Sequence, residues 1–175
     1  MSFWDELSNT FTNIFQPVEK AVVQPISHGL ANLDNFVHNN IPGGWGTIGA
    51  ATLMAIGIAN PELLSLANNG ELTSTALVNA GEDPALITSQ LSTLSNEAIA
   101  NGFTDAAQYA DATLNGFTDA ATYQAATNAG FTTASEYATA TNAGFTTAGE
   151  YSTATSLGYT NAADYATGTN LGYAN

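Results

Sequence analysis

The chain has 175 residues, and its 15 acidic side chains face a single basic one, Lys20, which gives a formal net charge of −14 at pH 7. A chain so poor in Lys and Arg is unsuited to binding nucleic acid or anionic lipid, because both recruit basic side chains. The absence of cysteine excludes disulfides, thiol catalysis and zinc–thiolate sites. The first residues lack the basic segment of a secretory signal, so we expect none.

Residues 2–23 are predicted to form an amphipathic helix. Apolar side chains recur there at spacings of three and four, the pattern of a helix with one apolar face, and Pro17 is expected to kink it. We expect this face to dock on the rest of the chain or on a neighbouring subunit, and a helix lying on a membrane surface is the alternative. The interface candidates are Phe3, Trp4, Leu7, Phe11, Ile14 and Phe15.

A second short amphipathic helix is predicted over residues 26–38, followed by a turn at residues 39–44. Its two histidines, His28 and His38, lie ten residues apart. No third ligand is patterned near them, so we interpret both as surface or capping residues rather than as metal ligands.

The most apolar stretch runs from Trp45 to Ala59, an uncharged run of fifteen residues. A membrane-spanning helix needs about 20 such residues, and neither flank carries a Lys or Arg to set its orientation. The sequence therefore predicts a buried or intersubunit helix, with membrane contact through residues 41–59 as the alternative. This segment adds the interface candidates Trp45, Ile48, Leu53 and Ile56.

Three shorter helices are predicted between residues 60 and 101. Asn60 followed by Pro61 is typical of a helix start, and a second helix is predicted over residues 73–78. Asp83 and Pro84 open the last helix, whose inner face is formed by Ile87, Leu91, Leu94 and Ala98. We place a boundary after this helix, between a helical assembly and anchoring region (1–101) and a repeat array (102–175).

From Gly102 onward a unit of fourteen residues recurs in five full copies, and a sixth copy begins at Gly172. Each unit starts with Gly, an aromatic residue and Thr, and continues with an Ala and a Tyr at fixed places. A fixed period of this kind is the sequence sign of a repeat architecture. The predicted repeat core consists of Phe103, Tyr109, Phe117, Tyr123, Phe131, Tyr137, Phe145, Tyr151, Tyr159 and Tyr165.

Each unit is predicted to form one short helix, with the Thr at its third place as N-cap and the Gly of the next unit as the stop. A β-solenoid is one alternative, but no Val or Ile follows Ile99. A single long helix is the other, but a Gly in every copy disfavours it. Helices this short are not stable alone, so we expect the units to stack with alternating direction, two repeats to a hairpin. The predicted fold is all-α: a helical base followed by an α-solenoid-like array of five short-helix repeats.

The sequence offers little for catalysis, which usually needs a nucleophile beside a base, paired carboxylates or a metal cluster. It has no cysteine and no Arg, and it contains neither a phosphate-binding glycine loop nor a calcium-binding loop. We therefore expect no enzyme, no catalytic residue, no cofactor and no metal site. The acids of the repeats change place from copy to copy, which is typical of solvated faces, with a weak calcium role as the alternative.

Three segments carry a resemblance to structural proteins of marine tailed phages: residues 41–50 (IPGGWGTIGA), 60–64 (NPELL) and 76–81 (ALVNAG). In those proteins an amphipathic start precedes a segment rich in Gly and Ala. The likeness covers about residues 26–85, and the repeats themselves resemble short Gly-Phe-x-x-Ala-x-x-Tyr units of bacterial and phage proteins. The resemblance implies a virion component and assigns no functional residue.

We expect from these observations a non-enzymatic structural protein of a virus particle. It would assemble with itself and with other structural proteins through its N-terminal helices, and the repeats would serve as a spacer or interaction face. One alternative is an acidic binding module for a carbohydrate, a basic protein or calcium. The other is a surface-layer or filament subunit on a bacterial cell surface. Such subunits also form symmetric assemblies of many copies, and the sequence of one chain does not distinguish them from virion proteins.

Overall fold

The structure, a computed structural model, describes residues 24–173 and their side chains from residue 28 onward. Over this range the chain is helical and contains no strand, which confirms the all-α prediction. The predicted helix at residues 2–23, with its six interface candidates, lies outside the described residues. The ten described α-helices are α1 (Gln24–Asn40), α2 (Ala50–Ala55), α3 (Pro61–Asn68), α4 (Ser74–Asn79), α5 (Pro84–Ala100), α6 (Ala106–Leu114), α7 (Ala120–Asn128), α8 (Ala134–Asn142), α9 (Ala148–Ser156) and α10 (Ala162–Asn170).

The first compact unit ends at Ser95. In its described part α1 packs against α4 and against a short 3₁₀ helix at Gly44–Thr47, and α2 packs against α3. Its core is aliphatic, which is the arrangement expected of amphipathic helices that bury one face each. The most deeply buried apolar side chains are Leu33, Val37, Ile48, Leu53, Leu63, Leu72, Leu77, Ile87 and Leu91, and Thr52 is buried among the helices of this unit as well.

The apolar stretch Trp45–Ala59 does not form the single helix that was predicted. It is divided between the 3₁₀ helix and the six residues of α2. Glycines with positive φ lie at the outer ends of the two helices. Gly43 and Gly44 are at the start of the 3₁₀ helix, and Gly57 follows the end of α2. A glycine adopts this left-handed conformation without the steric cost that other residues meet. Within residues 24–173 no helix has the length and apolar character needed to cross a membrane.

The second compact unit covers Asn96–Asn175, so the boundary falls six residues before the predicted one, inside α5. The end of α5 has the contacts of a repeat. Ala98 is fully buried in the same cluster as the repeat residues, and its carbonyl accepts a hydrogen bond from the Phe103 N–H at 2.9 Å. The last turn of α5 therefore takes the place of a repeat helix and starts the array.

Each repeat forms one helix of nine residues, as predicted, but the N-cap is one residue later than expected. The caps are Asp105, Asp119, Thr133, Thr147 and Asn161, and each side chain accepts a hydrogen bond from the backbone N–H three residues on. The preceding Thr, proposed as the cap, lies before the helix in every copy. In the last three repeats an acid follows the cap by three residues, at Glu136, Glu150 and Asp164, which is the spacing of a capping box. Every helix therefore begins beside one carboxylate, which the helix dipole stabilises.

The repeat helices end in Schellman motifs. In the first repeat the Gly116 N–H donates to the Thr113 carbonyl at 3.0 Å, and the Phe117 N–H donates to the Ala112 carbonyl at 2.9 Å. The same two bonds recur at every later repeat. Phe117 and Ala112 are both buried, which is the apolar contact that accompanies this motif. The aromatic residue after each glycine is thus fixed against the end of the preceding helix.

Backbone hydrogen bonds also fix the register between repeats. The first N–H of one helix donates to the carbonyl at the end of the helix two before it, in four successive copies: Ala120 to Asn101, Ala134 to Asn115, Ala148 to Ala129 and Ala162 to Ala143, at 2.9–3.1 Å. In antiparallel hairpins these two ends would lie a helix length apart, about 14 Å for nine residues. The expected alternation into antiparallel hairpins is therefore wrong, because it would separate the two groups that these bonds join.

We expect Gly130→Ala to lower the free energy of unfolding of the array by about 1–2 kcal/mol, the cost of a left-handed backbone for a residue with a side chain. Gly130 has φ +83°, and an added Cβ would meet only Ala148 at an ordinary 3.6 Å. Gly149 is the matched control, because it lies inside α9 and an added Cβ meets nothing within 4 Å. Gly149→Ala should stabilise by roughly 0.5–1 kcal/mol. Urea denaturation followed by circular dichroism distinguishes the two signs, and a loss of stability in both variants would contradict this account.

Candidate binding cleft in the repeat array

The ten predicted repeat-core aromatics form one ladder along the array. The four phenylalanines are buried: Phe103, Phe117, Phe131 and Phe145. The six tyrosines are partly buried against them: Tyr109, Tyr123, Tyr137, Tyr151, Tyr159 and Tyr165. The tyrosine of a repeat packs on the aromatic ring of its own repeat, as in Phe117–Tyr123 with 5.3 Å between ring centroids. Some of these tyrosines also contact the aromatic ring of the preceding repeat and so connect two repeats. Tyr123, for example, lies 5.9 Å from Phe103 between ring centroids. Tilted and edge-to-face pairs at such distances stabilise beyond the area they bury.

A column of alanines on the inner face was not singled out by the sequence analysis. Ala98, Ala112, Ala126, Ala140 and Ala154 are all fully buried. Each lies nine residues after the aromatic residue of its repeat, except for Ala98, which precedes the first. Their fourteen-residue spacing was visible in the sequence, but alanine also fills exposed places of the repeats, so residue type alone did not identify the buried column.

The described interface candidates of the first unit lie mainly in its interior. Ile48 and Leu53 are each 1% exposed and Ile56 is 5% exposed. They are therefore core residues of this chain rather than contacts for a partner. Trp45 is half-buried, and its indole N–H donates to the Asp34 carboxylate at 3.0 Å.

Histidines and acids do not gather into a metal site in the part of the chain that the structure describes. His28 and His38 are both exposed on α1. The acids that cap the repeat helices are held by backbone groups instead. The Thr122 N–H donates to the Asp119 carboxylate at 2.8 Å, and this bond, with a second from the Thr122 hydroxyl, lowers the pKa of Asp119 below its ordinary value.

A surface cleft of about 310 Å³ opens at the first three repeats. It is lined by Asp111, Asn115, Tyr123, Thr127, Phe131 and Thr132. Its volume is at the lower end of the range found for small-molecule sites, about 300–1,000 Å³. The cleft therefore has room for one small group of a ligand.

Two of the six lining residues lie at places whose residue type changes along the array, where the end of α5 has Glu97 and Asn101. At the places of Asp111 and Asn115, the next two repeats have Ala125 and Thr139 in one column, and Ala129 and Ala143 in the other. The remaining four lining residues keep the type of their column in the neighbouring repeat. The carboxylate and the amide thus give this cleft a polar character that the same position lacks further along the array.

Three polar side chains of the cleft donate hydrogen bonds to oxygens of the protein. The Tyr123 hydroxyl donates to the Asp111 carboxylate at 2.8 Å and so joins α7 to α6. The pKa of Tyr123 is raised above its ordinary value. Burial is the larger cause, and the hydrogen bond to Asp111 is the second. The Thr127 hydroxyl donates to the Tyr123 carbonyl at 2.8 Å, and the Asn115 amide donates to the Asp111 carbonyl at 2.9 Å.

The chain was compared with protein-family profiles, with curated proteins and with solved structures, and none of them matches it. Its function is therefore inferred from its residues and their arrangement.

Proposed function

We propose that this protein is a non-enzymatic structural component of a virus particle, in which the repeat array is a rigid spacer or interaction face. The observation that carries this proposal is the fixed register of the array. The same backbone hydrogen bond joins the end of a helix to the start of the second helix after it, in four successive copies. A spacer needs this property, because its length and direction must be reproducible in every copy of an assembly.

The use of polar side chains in the repeats supports a structural role. Capping residues bind the first turn of their own helices. The threonine that ends each repeat donates its hydroxyl to the carbonyl of the tyrosine four residues earlier, as Thr141 does to Tyr137 at 2.7 Å. The aromatic residues are packed into the ladder. These polar and aromatic side chains thus stabilise the repeat fold itself, as in solenoids whose stability comes from stacked repeats.

The motif resemblance of residues 26–85 favours a virion over the alternative of a bacterial surface-layer or filament subunit. The expected partners are further copies of this chain and other structural proteins of the same particle. Because Ile48, Leu53 and Ile56 are buried, we assign self-assembly to the predicted amphipathic helix at residues 2–23.

Light scattering coupled to size-exclusion chromatography of the full chain tests this proposal. We expect a defined oligomer in detergent-free buffer. Phe11→Asp, on the predicted apolar face, should shift it towards the monomer, whereas Thr12→Asp adds the same charge on the next residue and should leave its mass unchanged. A monomer of the unaltered chain at all concentrations would sink the structural proposal, and equal effects of the two variants would remove the assignment to this face.

A further inference from the structure

In the cleft at the first three repeats, all side-chain donor groups except the Thr132 hydroxyl bond to protein oxygens, whereas several acceptors remain. The hydroxyls of Tyr123 and Thr127 and the amide of Asn115 all donate inward, to protein oxygens. The carboxylate of Asp111, the carbonyl oxygen of the Asn115 side chain and the lone pairs of the two hydroxyls remain for a ligand. The complementary ligand group is therefore one that donates several hydrogen bonds and needs no donor in return.

The charge of the cleft selects further among such groups. Asp111 supplies a negative charge, and the chain has no base other than Lys20, so no side chain of the array neutralises it. An anion is disfavoured by this charge. A divalent cation needs several oxygen ligands, typically six to eight for calcium, and the described residues form no cluster of three acidic or histidine side chains. A sugar hydroxyl, which both donates and accepts, would find few free donors here.

We propose that this cleft binds a primary ammonium group, as carried by a small amine or by the side chain of a lysine. An ammonium has three donors and no acceptor, which matches the acceptors left around Asp111. Its alkyl stem would lie along the aromatic wall that Phe131 and Tyr123 contribute to the cleft. The acidic surface of the chain raises the local concentration of cations. This inference does not depend on the structural role, because a monomeric array would keep the same cleft.

The amide signals of the full chain in ¹⁵N nuclear magnetic resonance test the proposal, with n-butylammonium as the probe. We expect saturable shifts at Asp111, Asn115, Thr127 and Thr132, with a dissociation constant of about 1–10 mM, since the ion pair is exposed and therefore weak and the alkyl stem adds only a small apolar contact. Tetramethylammonium carries the same charge but no N–H donor and should bind more weakly. Glucose and calcium should bind more weakly than butylammonium at these residues, and tighter binding of either would overturn the proposal.

A matched pair of variants separates this site from a general attraction of cations to an acidic chain. Asp111→Asn removes the charge but keeps an acceptor for Tyr123, and we expect it to weaken butylammonium binding about fivefold. Glu97→Gln removes an equal charge at the equivalent place of the preceding helix and does not line the cleft. It should leave the affinity unchanged, and an equal loss in both variants, or no saturable shift at about 100 mM amine, would refute the site.

Two further probes identify the source of the ammonium group. Cadaverine represents a free amine, and Nα-acetyl-lysine methylamide represents a lysine on a partner protein. Binding of both supports the chemistry, and the tighter of the two indicates the natural source. Failure of both probes, with an intact fold by circular dichroism, counts against the cleft and leaves the proposed assembly role untouched.

Discussion

Phe131→Ala is expected to lower the free energy of unfolding by about 3–5 kcal/mol, the usual cost of removing a buried phenylalanine side chain. Phe131 lies at the middle of the array and is 3% exposed. Its ring packs on Tyr137 of its own repeat at 5.5 Å and on Tyr151 of the next repeat at 6.4 Å between centroids. Because the Phe131 ring packs on tyrosines of two successive repeats, this loss also weakens the coupling between the two halves of the array. Urea denaturation should therefore show a lower midpoint and a shallower slope.

Tyr173→Ala is the control for this prediction, because Tyr173 is also a ladder-position aromatic but is 79% exposed. We expect a change within about 0.5 kcal/mol, as for other exposed positions. Phe131→Leu keeps most of the buried volume and should cost about 1 kcal/mol, which gives a measurement if the alanine variant does not fold. Equal stability of the Phe131→Ala and Tyr173→Ala proteins would show that the ladder does not hold the repeats together.

The second large effect is expected in the fifth repeat, where adding one methyl group should lower stability. Repeats one to four pair a phenylalanine with a buried alanine nine residues later, as in Phe145 with Ala154, whereas the fifth pairs Tyr159 with Gly168. A Cβ at Gly168 would overlap the Tyr159 hydroxyl. We expect Gly168→Ala alone to destabilise α10 by about 1–3 kcal/mol through overpacking.

The double change Tyr159→Phe with Gly168→Ala restores the pair found in the other repeats. It should be at least as stable as the original chain, with a gain of about 1 kcal/mol from replacing a helical glycine. Because an end repeat can open separately, amide hydrogen exchange within α10 is the suitable measurement. If Gly168→Ala costs the same beside Tyr159 as beside phenylalanine, the two residues are not coupled and the pairing argument fails.

The local structure of the repeats was largely predictable, because it depends on neighbours in sequence. The glycine at φ +83° that ends α7 and the apolar residue after it form a signal within a few residues. The N-cap was misplaced by one residue because Thr132 and Thr133 are both good caps. The acid at Glu136 settles the choice, since a capping box needs it three residues after the cap.

The arrangement between repeats could not be predicted in the same way. The bond from the Ala134 N–H to the Asn115 carbonyl joins two backbone groups. Nearly every residue carries these groups, so residue types do not predict this bond. The apolar run Trp45–Ala59 was misjudged for the opposite reason. Its composition suits a helix, but Gly43, Gly44 and Gly57 adopt turn conformations that composition alone does not reveal. Asp111 and Asn115, by contrast, lie at places whose variation along the repeats can be seen in the sequence.

The number of residues between a helix start and the helix end that it bonds is the same in all four copies. This constancy bears on how the array can change in length. Every junction in the array presents the same backbone groups to the next unit, so an in-frame gain or loss of fourteen codons recreates an existing junction. The array can therefore lengthen or shorten by whole units during evolution while each remaining residue keeps its neighbours, and selection can act on reach separately from selection on folding.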